Sequence, residues 1–92
     1  QPQEIFQQPE KFLSYFISPE PPLENLERHE KGLSFDIPLP AEQYPLVTTY
    51  LKAAFESVPV YVGQTPAHCE WSDINFKIEL PTSQQSIFTE EN

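Results

Sequence analysis

Residues 33–62 read LSFDIPLPAEQYPLVTTYLKAAFESVPVYV, and this stretch decides the fold class. Leu33, Phe35, Ile37 and Leu39 alternate with Ser34, Asp36 and Pro38. A period of two with one apolar face predicts a half-buried strand. Pro38 has no N–H to give to a ladder, so that end belongs at an edge or beyond the pairing. The spacing then changes. Val47, Leu51, Ala54, Phe55 and Val58 recur at i, i+4, i+7, i+8 and i+11 with Tyr50 at the border, which predicts a helix from Glu42 or Tyr44 to Ser57. Thr49, Lys52 and Glu56 are expected to face away from the core. Pro45 fits only the first turn of that helix, and Val58-Pro59 marks its exit. Val60-Tyr61-Val62 reads as a short β-prone strand stopped by Gly63. A strand–helix–strand unit crossing over within one sheet leaves its strands parallel.

Outward from this unit, Gln64 to Ser72 reads as a loop. Ile74, Phe76, Ile78 and Leu80 then alternate with Asn75, Lys77 and Glu79, a second clean strand ended by Pro81 and free to return antiparallel. On the N-terminal side, Leu23 to Lys31 reads as a short helix. Glu24–Arg28 and Glu27–Lys31 are spaced i, i+4 with the acid first, Leu23 and Leu26 supply a narrow apolar stripe, and Gly32 is placed to terminate it. Glu20-Pro21-Pro22 is an extended connector. Pro9 can open an earlier helix, with Phe12, Leu13, Phe16 and Ile17 on one face, although the same residues also suit a strand. Ser18-Pro19 ends that element. The expectation is one α+β domain over residues 9–81, with a small three-stranded mixed sheet (β-α-β plus a returning strand). Helices cover one face of the sheet, and two of them are short and N-terminal. The other sheet face meets water or a partner. Residues 1–8 read as a flexible arm and 82–92 as a flexible polar tail.

Composition bounds the function. The net charge is −9, from 14 acidic and 5 basic residues spread along the chain rather than held in a tail. Clustered Lys or Arg would be needed for a phosphate backbone or an anionic membrane surface, and no segment is basic. A protein partner remains, a basic one being attracted at long range, or a second copy. Seven Phe, four Tyr and one Trp supply one modest core. No apolar run approaches a membrane span. The chain begins at Gln1 and contains no Met, so a processed or truncated product is expected, with its earlier part unseen. The lone Cys69 cannot form an internal disulfide, which favours a cytoplasmic over a secreted setting.

The densest chemistry is Thr65-Pro-Ala-His-Cys-Glu-Trp-Ser-Asp73. His68 and Cys69 could form a nucleophilic pair, but neighbouring side chains rarely face each other and no third orienting group is identifiable. Spaced metal-ligand pairs are missing, so no metal or other cofactor is expected. The plainer reading has Cys69 and Trp71 packing over the sheet edge with His68 and Glu70 in solvent. His29 sits among Glu27, Glu30 and Lys31, either as a pH-sensitive contact or as a solvated histidine. Ser18-Pro-Glu-Pro-Pro22 is preorganised toward polyproline II, and Ser18-Pro19 and Thr65-Pro66 are candidate sites of proline-directed phosphorylation. Ile5-Phe6 and Ile87-Phe88 are apolar pairs within polar termini.

The preferred function is a small, acidic, non-enzymatic and regulatory protein-interaction module, self-associating in one form through a sheet edge or face. Its expected partner-binding residues are Pro19, Pro21, Pro22, Glu24, Glu27, Glu30, Trp71, Ile87 and Phe88. The alternatives are an acidic decoy occupying a nucleic-acid-binding site on a target protein, and a small enzyme using Cys69 and His68.

Overall fold

The structure, a computed structural model, describes residues 6–19 and 21–81. It is α+β. In chain order come helix α1 (Pro9–Leu13), strands β1 (Glu24–Arg28) and β2 (Gly32–Asp36), helix α2 (Pro45–Ser57), a 3-10 turn (Val58–Val62), and strands β3 (His68–Ser72) and β4 (Asn75–Glu79). The sheet has four strands in the order β1-β2-β4-β3, every neighbouring pair antiparallel. It is therefore neither three-stranded nor mixed. β2 and β3, which flank α2, run the same way, but β4 is inserted between them. The parallel relation expected from the crossover survives as a direction without any shared ladder.

Three local expectations are corrected. Leu23–Lys31 is not a helix but β1 and the following turn, so the second of the two expected N-terminal helices is replaced by a strand. Two i, i+4 ion pairs contribute only about 0.2–0.5 kcal/mol each, and so short a helix is marginal by itself. The same residues gain a ladder on β2, with Glu27 opposite Ser34 and Arg28 opposite Leu33. His29 and Gly32 close the hairpin reciprocally, each N–H donating to the other's carbonyl, with N···O distances of 2.7 and 3.3 Å. Gly32, read as a helix stop, opens β2 instead, and a Cβ there would collide with the Ile78 carbonyl.

Val60-Tyr61-Val62 is not a strand. Pro59 continues the chain helically out of α2, and Gly63 at φ 80° caps the turn, its N–H reaching the Val60 carbonyl at 2.9 Å. The strand missing there is supplied by His68–Ser72, the second half of the expected Gln64–Ser72 loop. β3 and β4 form a hairpin whose two-residue turn places Asp73 at φ 49°, a conformation Asp tolerates. Pro38 lies beyond the β2 ladder, as its missing N–H requires.

The core lies between α2 and one sheet face. Leu33 and Phe35 of β2, Phe76 and Ile78 of β4 and Cys69 of β3 are buried there with Leu51 and Phe55 of α2. Phe55 meets Phe76 edge to face at 5.2 Å and Phe12 at 4.8 Å. Phe6, read as part of a flexible arm, is fully buried in this core. The Arg28 guanidinium donates to the Gln7 carbonyl, tying the same segment to β1. Residues 1–5 and the expected tail 82–92 lie outside the described residues.

Candidate functional site

The expected chemical cluster comes apart on the strand pleat. Cys69 is fully buried on the core face, while His68 and Glu70 lie on the opposite face, exposed, with the imidazole Nε2 3.2 Å from the Glu70 carboxylate. Adjacent residues of a strand point to opposite sides, so His68 and Cys69 are not brought together. Burial raises the Cys69 thiol far above its ordinary range, and the Glu56 carboxylate adds to the shift. A thiol held protonated is a poor nucleophile. Trp71 stacks on Phe76 at 4.5 Å with its Nε1 buried and unpartnered.

The open sheet face carries a shallow hollow of about 230 Å³. Gly32 and Ser34 leave its floor low, and His29, His68, Glu70 and Lys77 stand around it. His29 Nε2 lies 3.2 Å from Ser34 Oγ, the spacing of a base beside a hydroxyl nucleophile. However, Glu27 approaches that same Nε2, at 3.8 Å, rather than standing behind the ring to orient it. Among the described residues there is no group of three or more His, Cys, Asp or Glu suited to holding a metal.

The other broad surface is the outer side of α2. The helix buries Thr48, Leu51 and Phe55. Val47 and Tyr50, expected in or beside the inward stripe, are instead exposed, and Leu46 is 86% exposed. Phe16 leans on Tyr50 edge to face at 5.5 Å, and Tyr44 at the start of α2 and Tyr61 just beyond its end are also exposed. The helix contains only two charged residues, Lys52 and Glu56. Both are drawn toward β3. The Glu56 carboxylate accepts the Cys69 N–H at 3.2 Å, and Lys52 lines a hollow with Glu42 and Trp71. The outward face of α2 is left without charge in a chain of net charge −9.

The two sheet edges are blunted in different ways. On β3, Glu56 occupies the outward Cys69 N–H, and in the turn after the strand Glu42 accepts the Asp73 N–H at 3.0 Å. β1 is fully exposed but interrupted by an irregularity between Glu24 and Glu27, with Asn25 at φ 56°. Bulges and charged side chains are the usual means of blunting an edge.

Of the residues singled out from sequence, Pro21 and Pro22 line a hollow with Glu10 and Leu23 just before β1. Pro19 follows a cis peptide bond in the same connector. Glu24 and Glu27 lie on β1 and Glu30 in the turn after it, all exposed. Trp71 is half-buried far across the sheet, so the structure does not join it to the connector. Ile87, Phe88 and Glu20 lie outside the described residues. Sequence reasoning missed the outer face of α2. Its signal was present: QYPLVTTYL, residues 43–51, holds no charge, and a helix apolar on more than one side is not an ordinary surface helix.

No protein-family model matches this chain, and no curated protein or solved structure matches it either. Among the described residues, no helix is long and apolar enough to cross a membrane.

Proposed function

We propose that this chain is a non-enzymatic protein-interaction module whose contact surface is the uncharged outer face of α2 with the turn that follows it. The observation that carries this reading is Leu46, Val47 and Tyr50 standing exposed on one helix with no charged side chain among them. Contiguous apolar surface rimmed by polar residues marks interaction sites. The sheet edges are weaker candidates, because the Glu56 carboxylate occupies the outward Cys69 N–H of β3 and β1 is irregular. A decoy for nucleic-acid sites would need a continuous acidic stripe. Asp73 and Glu79 sit at opposite ends of the β3–β4 hairpin, and Lys77 lies between them in sequence on β4.

Position-specific photo-crosslinking tests the reading. A photoreactive side chain replaces Val47 in one sample and Lys77, on the open sheet face, in another. The expected result is a protein adduct from position 47 that Tyr50→Glu abolishes, with none from position 77. Adducts from position 77 alone, or from neither position, would overturn it.

A further inference from the structure

Resting on that reading, we infer that the occupant of the α2 face is a second copy of this chain, docked helix against helix and antiparallel about a two-fold axis. The outward seam of α2 runs Leu46, Tyr50, Ala53, Ser57, a 4-3-4 spacing that brings one side of a helix repeatedly to the same neighbour. It lies opposite the buried Thr48, Leu51 and Phe55. The seam is graded. Its N-terminal half is bulky and its C-terminal half is small. An antiparallel copy centred at the level of Leu51 and Lys52 places Leu46 against Ser57 and Tyr50 against Ala53, and the two-fold repeats both pairs. Large against small at each level is what interdigitated helix packing needs, and an isologous interface requires such self-complementarity.

Area and charge both permit this occupant. With about 200 Å² for a whole aromatic side chain, the exposed parts of Phe16, Tyr44, Tyr50 and Tyr61 come to roughly 450 Å², and Leu46 and Val47 add exposed aliphatic surface to it. A standard interface buries about 800 Å² per partner. Two chains of charge −9 repel at a distance, yet they can meet on this face without burying a charge, since Lys52 and Glu56 are engaged toward β3. The association should therefore tighten as salt rises, opposite to the capture of a basic partner.

The test is the solution mass of the full chain, by light scattering and sedimentation equilibrium from micromolar to millimolar concentration, at low salt and at about 0.5 M. The expected mass rises from 10.6 kDa toward twice that value, and more readily in high salt. Leu46→Glu should weaken association by about a hundredfold, because each substitution acts twice across a two-fold. Ala53→Tyr adds apolar surface, so general stickiness would be enhanced by it. In the proposed register it meets Tyr50 of the second copy and abolishes the dimer, and the exchange Tyr50→Ala with Ala53→Tyr restores it. Far-UV circular dichroism establishes that each variant is folded. A wild-type chain monomeric under every condition, or a dimer indifferent to Ala53→Tyr, overturns the inference. The interaction-module reading then stands or falls separately on whether position 47 crosslinks to a different protein.

Discussion

The outer face of α2 and the open face of the sheet are built from the same acidic chain in opposite ways. On the sheet, the floor is small, Gly32 and Ser34, and the walls are polar. His68 contacts Glu70, and Glu70 lies directly opposite Lys77 across β3 and β4. Such a face is content in water. On α2 the exposed side chains are large and apolar, and both charges have been pulled aside. Covering that surface gains about 25 cal/mol for each Å² of apolar area removed from water, whereas covering the sheet face would strip charged groups of solvent. Net charge alone therefore says little about where a partner binds. What matters is which element is left without any charge.

The comparison is broken most completely by removing what lies beneath the helix. Phe55 joins α2 to the sheet through Phe76, at 5.2 Å, and to α1 through Phe12. Phe55→Ala should cost about 3–5 kcal/mol, read as a lower urea midpoint. Both faces should be lost together, because one core supports them. A loss confined to α2, with the sheet still cooperative, would show that the two faces are independently stable.

A smaller effect is expected at Glu56, which keeps charge off the helix face by binding the β3 edge. Glu56→Ala leaves the Cys69 N–H without its acceptor and should cost about 1–3 kcal/mol. Glu56→Gln retains an acceptor and should recover most of that in the same urea titration. Equal losses in both variants would mean that the charge, not the hydrogen bond, is what matters.

Much of this contrast was legible in the residues, and the failures share a cause. The alternation of Leu33, Phe35 and Ile37 and of Phe76 and Ile78 announced β2 and β4, because a strand buried on one face writes its period into the sequence. α2 was visible from its apolar spacing and from Pro45. The i, i+4 charges of β1 are a local signal that points to a helix, while its ladder on β2 is a distant one. β3 carries its in-out alternation in Cys69 and Trp71, but two apolar positions among polar ones are too short a pattern to separate a strand from a loop. The site was missed for a related reason. The spacing puts Val47 in the inward stripe with Tyr50 at its border, and only the packing of Thr48, Leu51 and Phe55 against the sheet shows which side of an apolar helix is turned out.

The finest test concerns the sheet side, at Asp36. Its carboxylate accepts hydrogen bonds from the Asn25 amide at 2.8 Å and the Asn75 amide at 3.0 Å. These hold its pKa below the ordinary carboxylate value, Asn25 having the larger influence. A lowered folded pKa means that the unfolded chain binds more protons between the two values. The stabilisation is therefore complete above the ordinary carboxylate range and is lost as pH falls through the folded pKa. Asn25 also has φ 56°, so an alanine there would strain the backbone and confuse the result. Asn25→Gly keeps the left-handed conformation and deletes only the amide. The Asp36 carboxyl resonance should then titrate at higher pH, still below the ordinary value because Asn75 remains, while association through α2 is unchanged. An unmoved midpoint would show that Asn25 does not hold Asp36 in solution. A change in association would show that the two faces are coupled through the sheet.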